Sequence, residues 1–435
     1  MSRAELLEGR AATGTETAAK QDSGFKAWLA LNASTGALLA AILLVGMASE
    51  LWAPLMPEYL KELKGGILFI ALCGSAKDLL EAINFYLGGV VAARLDTRRA
   101  LLIFNALPLV GLGVLLGWES KYAFPVALPF VGVWNSIAGP ATLRVVGDTL
   151  AEHRRAMAFS LQSIQKRLAS LLAYAASGGL VLAFGEVQGT RAALVLAMGL
   201  VVLSLGVQYH FMRTAVTDQV RAHGAPLALL RRFDPQLRRL LASEICVRWC
   251  DSMPQNLTIL YCVGLLVPLL RGSPDLTEKE LTARAAAFYL GVLLSVNQVT
   301  SLLLYLPIGH LASRGGAAKK PFIGLTFVFF ALYPLALVTL GARYGIAGLV
   351  ITFIIMGLRE LGEPARKAMI TELVPADCRT QAIGLYWASR GLGITPASLV
   401  GGLIWMRWGP EAMLYTASAC GLVGAALFYL RFGRR

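Results

Sequence analysis

A chain of 435 residues that is 56% hydrophobic and only 15% charged is excluded from the ordinary water-soluble globules, which carry about 25% charged residues. Its formal net charge of +14 would mark a soluble protein for nucleic acid. Here the basic residues gather in alternate short connections between apolar runs, as the positive-inside rule expects of a membrane protein, so no nucleic-acid partner is predicted.

Residues 1–25 are polar and Ala/Thr/Glu-rich, and read as a cytoplasmic tail rather than a signal peptide. After them come apolar runs of about 20 residues, the length that crosses the roughly 30 Å hydrocarbon core of a bilayer. Twelve spans are predicted, near 33–58, 66–92, 98–118, 122–147, 156–184 and 190–212, then 238–268, 284–312, 319–341, 345–372, 380–405 and 409–432. The expected fold is therefore an all-α polytopic membrane protein of two six-helix bundles, 26–212 and 238–432, joined by a basic linker, 213–237. An even number of spans leaves both termini on one side. Arg94, Arg98 and Arg99, then Arg154 and Arg155, the arginine-rich linker, Arg314 with Lys319 and Lys320, and the arginines at the C-terminus place that side in the cytoplasm. The expected location is a bacterial inner membrane. The linker stretch APLALLRRFDPQLRRLL has the pattern of an amphipathic helix on the inner leaflet.

Several spans carry charges, which are expensive in hydrocarbon and so face a cavity or a partner. In span 1, Glu50 precedes Pro54 and Pro57; in span 7, Glu244, Arg248 and Asp251 line one face just before Pro254. Prolines loosen the backbone ladder, which is tolerated where a helix lines a cavity. Span 2 sets Lys77, Asp78, Glu81 and Asn84 on one face. Two acids and one lysine leave a negative excess, which suits a proton carrier or a packing network that borrows Arg390 from span 11 as its cation. Span 5 adds Gln162, Gln165, Lys166 and Arg167, the last two read as snorkelling to the cytoplasmic interface. Span 10 places Arg359, Glu360, Glu363, Arg366 and Lys367 within about 120° of one helix face at 100° per residue. The i, i+4 pairs Arg359–Glu363 and Glu363–Lys367 can neutralise each other there, as a structural ladder or as a solute or proton site.

Metal is not predicted. Cys246 and Cys250 stand at i, i+4, but cysteine serves membrane helices as a small apolar residue, and the four histidines fall near the predicted cytoplasmic ends. No cofactor is implied, and the lack of a Gly-x4-Gly-Lys-(Ser/Thr) phosphate loop speaks against ATP-driven pumping.

The two halves repeat. GPATLRVVGDTLAEHRRAMAFSL from Gly139 matches GEPARKAMITELVPADCRTQAIGL from Gly362, at an offset near 223, and Gly89 and Arg94 answer Gly309 and Arg314 at an offset of about 220. Glu50 and Pro54 answer Asp251 and Pro254 at about 200, so the second half holds an insertion, expected as a longer external loop from Arg271. Two halves in the same topology make a parallel repeat about an axis along the membrane normal.

With these features the sequence resembles the major facilitator superfamily over essentially its whole length. That family's loop between helices 2 and 3 reads Gly-x-x-x-Asp-(Arg/Lys)-x-Gly-(Arg/Lys)-(Arg/Lys). GVVAARLDTR matches it at Gly89, Arg94 and Arg98, with Ala93 at the acidic position and Asp96 at the second glycine; GHLASRGGAA keeps Gly309, Arg314 and Gly316, with Ser313 at the acidic position. The resemblance implies that these loops gate the cytoplasmic side. The Arg-before-Gln-Gly of proton-coupled members is absent from span 4, and the late Gly-Pro of drug antiporters is absent from span 5. It further implies a secondary active transporter, not an enzyme, a monomer that moves a small organic solute by alternating access. Fixed cations beside carboxylates point to an anionic or zwitterionic solute with protons as the coupling ion. The expected site residues are Glu50, Lys77, Asp78, Glu81, Glu244, Arg248, Asp251, Arg359, Glu363 and Arg390. A membrane assembly factor or receptor of the same fold, without transport, is the competing expectation.

Overall fold

The computed structural model of the protein describes residues 33–91, 97–132, 152–211, 226–271, 276–312, 316–375 and 378–432. Among these residues every regular element is helical. In chain order they are α1 (Ala33–Trp52), α2 (Met56–Glu62), α3 (Ile67–Val91), α4 (Thr97–Gly117), α5 (Ala123–Val131), α6 (Glu152–Phe211), α7 (Pro226–Arg231), α8 (Pro235–Gln255) and α9 (Thr258–Leu270). There follow α10 (Glu278–Phe288), α11 (Leu294–Ala312), α12 (Gly316–Ala336), α13 (Ala342–Leu358), α14 (Glu363–Leu373), α15 (Arg379–Ile394), α16 (Pro396–Trp408) and α17 (Pro410–Phe432). The molecule is an integral membrane protein.

By length and composition five stretches can cross a membrane, Ala40–Glu62, Ser163–Phe211, Glu278–Tyr305, Lys319–Leu373 and Pro410–Leu430, and a sixth if α8 and α9, bent by 48°, form one span. Ser163–Phe211 and Lys319–Leu373, of 49 and 55 residues, would be straight rods of roughly 74 and 83 Å at 1.5 Å per residue, more than twice the hydrocarbon core. Each doubles back instead, at Gly185 (φ 78°) and Gly345 (φ 56°), a backbone region only glycine enters at low cost. The returning limbs touch: a Cβ on Gly189 would lie 2.8 Å from the Leu180 carbonyl oxygen, and one on Gly348 would fall on the carbonyl of Leu340. Gly348→Ala is therefore expected to cost about 1–3 kcal/mol through overpacking, read as a lowered melting temperature of the purified protein in detergent.

These reversals share one face of the molecule, called here the far face, with the turns at 63–66 and 118–122. Lys121 donates to the carbonyl of Lys64 at 3.3 Å, and Arg191, six residues past Gly185, pairs with Glu119 at 3.3 Å. Leu303, Trp408, Leu182 and Leu430 are each more than 60% exposed. Apolar patches of that kind are rare on soluble proteins and here are the surface that meets acyl chains. The halves meet where α3 lies along α15 and α16, and where α6 lies along α10 and α11. At the second of these, a Cβ on Gly178 would stand 3.0 Å from the Cα of Gly291, so the two backbones nearly touch.

Three predicted boundaries move. The insertion after Arg271 is not all loop: Thr277 and Glu280 form a reciprocal capping box, which satisfies first-turn amides and starts α10 six residues before the predicted span. The basic linker does not lie flat on lipid through its leucines. Leu229, Phe233, Leu237 and Leu240 are buried in one cluster with Ile323, Phe327, Tyr386 and Phe428, and Asp234 caps α8 by accepting from the Gln236 amide at 2.7 Å. The third change is the largest. The tenth predicted span is not continuous: α13 ends at Leu358 and α14 starts at Glu363. Pro364 has no N–H for the carbonyl of Glu360, and it restricts the residue before it. The Glu360 carbonyl accepts the Glu363 amide at 3.1 Å instead, and the Gly362 amide donates to Thr326 Oγ1 at 2.6 Å.

Candidate functional site

Breaks in three spans surround one central cavity of about 370 Å³. The first is the tight turn Ala53–Leu55 between α1 and α2, where Pro54 and Pro57 withhold their amides. The second is the 48° bend at Pro254 between α8 and α9. The third is the Arg359–Gly362 turn. Glu50, Lys77, Glu81, Arg167, Asp251 and Arg359 line the cavity with Trp52, Phe124, Tyr174, Tyr289 and Tyr333, and with the amides Asn84, Asn256 and Gln298.

The break in the tenth span changes what its charges do. The i, i+4 pair predicted between Arg359 and Glu363 does not form. Arg359 turns to Asp251 at 2.5 Å, and its guanidinium lies 5.1 Å from the Phe330 ring and 5.6 Å from Tyr333. Arg248 holds the other Asp251 oxygen at 3.2 Å and its guanidinium also lies 4.9 Å from the Phe330 ring. Glu363 pairs with Lys367 at 3.5 Å and with Arg366. Glu360 faces the other half of the chain.

Glu360 accepts from Tyr305 at 3.2 Å and pairs with Arg167 at 2.7 Å. Arg167 also donates to Gln298 Oε1 at 3.1 Å. Arg167 therefore does not snorkel to an interface, as its place near the end of an apolar run implied; it crosses the middle of the molecule. The signal that could have exposed it was present: Glu360, the fourth acid of this network, had no partner of its own in the predicted ladder.

Below the cavity, toward the face opposite the reversals, Glu244 is the hub. It accepts from Tyr386 at 2.6 Å and Arg390 at 2.8 Å, pairs with Arg366, and lies 4.0 Å from Arg248. Arg390 thus serves Glu244 rather than the acids of the second span, although α3 and α15 are neighbours. Those acids separate. Glu81 stays on the cavity with Lys77 and Asn84, while Asp78 is buried and accepts from Ser252 at 2.7 Å. Removing that hydroxyl strands a buried carboxyl group, so Ser252→Ala is expected to cost about 1–3 kcal/mol, measured as a lower melting temperature. Glu50, on the opposite wall, accepts from Tyr174 at 2.7 Å.

The structure thus brings Glu50, Lys77, Glu81, Asp251 and Arg359 to one cavity, and Glu244, Arg248, Glu363 and Arg390 to the charge network beneath it. Arg366, Glu360, Arg167, Tyr305 and Tyr386 belong to the same network and were not among the expected site residues. Of the expected gating residues, Gly89 lies near the end of α3, Arg98 in the first turn of α4 and Gly309 in α11; Arg94 and Arg314 lie outside the described residues. Cys250, half of the i, i+4 cysteine pair, donates to the Phe330 carbonyl at 3.0 Å.

Residues 257–435 match the Major Facilitator Superfamily. Over 400 residues, 88% of this chain and 90% of the other, the sequence is 22% identical to an uncharacterised MFS-type transporter of Methanocaldococcus jannaschii. Among solved structures, the human organic anion transporter TETRAN superposes with a TM-score of 0.65 at 16% identity, covering 91% of this chain and 99% of that one. The nucleoside transporter NupG superposes with a TM-score of 0.68 at 15% identity, covering 92% and 100%.

Proposed function

We propose that this chain, a Major Facilitator Superfamily transporter and not an enzyme, moves a small organic solute bearing an acidic group, anionic or zwitterionic, by alternating access coupled to protons. One observation carries the reading: Arg359 and Asp251, ion-paired with each other, both line a cavity to which the two halves of the chain contribute charged residues. A cavity of about 370 Å³ is within the size range of small-molecule sites.

Arg359 offers a planar fork to a carboxylate or phosphate. Asp251 holds one arm of that fork, so an acidic solute displaces it, and the released aspartate is the proposed carrier of the coupled proton. The Arg167–Glu360 pair joins the halves across the cavity floor and is broken and remade as they rock. The transporter works as a monomer, in a cytoplasmic membrane with both termini inside, an orientation supported by the basic connections.

Purified protein in liposomes, loaded with a panel of unlabelled organic acids and amino acids, tests this by counterflow of the matching labelled compound. Uptake of at least one compound is expected, faster under an imposed pH gradient and lost in Asp251→Asn. A stable reconstituted protein that exchanges no compound under any gradient would sink the proposal in favour of a non-transporting role.

A further inference from the structure

The charges around the cavity are not evenly spread. On the side of α8, α13, α14 and α15, six cations (Arg167 reaching across, Arg248, Arg359, Arg366, Lys367, Arg390) meet four carboxylates, Glu244, Asp251, Glu360 and Glu363, and each of these four is ion-paired. On the side of α1 and α3 the imbalance reverses. Glu50 is held by the Tyr174 hydroxyl, with no cation at ion-pair distance among the described residues. Glu81 lines the cavity with no hydrogen bond or ion pair among the described residues, and Lys77 beside it offsets one of these two acids. The backbone adds to this wall, since Pro54 has no N–H to give to the carbonyl of Glu50, four residues back. Between the two walls the lining is aromatic, with Trp52, Phe124, Tyr289 and Tyr333.

Building on the transporter reading above, we infer that the substrate is a zwitterion: an acidic group and an amine on a short apolar body, bound end to end across the cavity. The acidic group meets Arg359 on the cationic wall. The ammonium meets Glu50 and Glu81 on the acidic wall, and the aromatic rings enclose the body and face the cation. A simple anion satisfies the first wall and leaves the second with its excess negative charge unmatched in a confined site. A simple amine does the reverse. A site built to pair with a charged or hydrogen-bonding group rejects the analogue that lacks it, because its own groups are left unpaired.

Thermal shift of the full-length protein in detergent, against the common amino acids and their N-methylated betaines, tests the inference. For every compound that raises the melting temperature, the deaminated acid and the decarboxylated amine are titrated as matched probes. At least one zwitterion is expected to bind, with each half-molecule at least 100-fold weaker. Glu50→Gln is expected to weaken the zwitterion at least tenfold while changing the matched acid less than threefold. Glu81→Gln, at a half-buried position with no partner to lose, provides the same comparison if Glu50→Gln does not fold. An acid that binds as tightly as its zwitterion overturns the inference, as does unchanged zwitterion affinity in both variants. Transport of organic anions with no zwitterion bound overturns the inference and leaves the transporter reading standing. If no anion or zwitterion is bound or transported, both fail.

Discussion

Glu244→Ala is expected to destabilise the protein by about 3–5 kcal/mol, the cost of breaking a buried ion pair from one side. The Glu244 side chain is 1% exposed and serves Arg366 and Arg390, the first of them 5% exposed. Without it, among the described residues, Arg366 keeps only Glu363 and Arg390 keeps no ion-pair partner, and the two guanidiniums are left to repel one another in a region shielded from water. The Tyr386 hydroxyl loses its acceptor as well. Removing Arg390 together with Glu244 is expected to recover part of the loss, since groups in one network are not additive. Thermal unfolding in detergent of the two single variants and the double variant reads this directly. A single variant that melts within a degree of wild type would mean that Glu244 is not the hub.

Arg359→Ala is expected to leave the fold standing and remove transport. Asp251 retains Arg248 at 3.2 Å, so no acid is stranded, and Arg359 sits in a turn rather than within a helix. The cavity loses its guanidinium, however, and with it the group proposed to meet an acidic solute. A fall in transport rate of at least about 100-fold is expected, equivalent to ~2.7 kcal/mol, with little change in melting temperature. Arg359→Lys is expected to recover only part of it, because an ammonium keeps the charge without the planar two-point contact. Transport at a third of the wild-type rate in Arg359→Ala would place the acidic group of the solute elsewhere.

The sequence made the class of molecule and most of the charged cavity readable, because a charge in hydrocarbon is rare enough to be noticed one residue at a time. Glu50 before Pro54, Asp251 before Pro254 and the pair Lys77 and Glu81 needed no partner in view to be singled out. The partners were less readable, for a geometric reason. Helical spacing predicts contacts within one span, and it paired Arg359 with Glu363. One proline, Pro364, interrupts that helix and redirects Arg359 to Asp251, 108 positions away in the chain. The same limit hid Arg167, whose partners Gln298, Tyr305 and Glu360 all lie in the other half. Pro364 and the Thr277–Glu280 capping box were both visible as residues. Their effects on the boundaries are local backbone chemistry, which hydropathy windows average away.

The glycine reversals at Gly185 and Gly345, with a third at Gly409 (φ 91°) between α16 and α17, bear on how the chain is made. A pair of helices joined by a single bent residue carries almost no polar loop at its tip. During insertion such a hairpin can enter the bilayer as one unit, apolar limb against apolar limb, and only the few charges that flank the joints, Glu186, Arg191, Arg343, Arg407 and Glu411, have to cross with the tips. The same economy leaves a protease or an inserted epitope tag nothing to grip on that side. These three joints would stay uncut in intact membranes, and a tag placed in any of them would disturb synthesis before it reported topology.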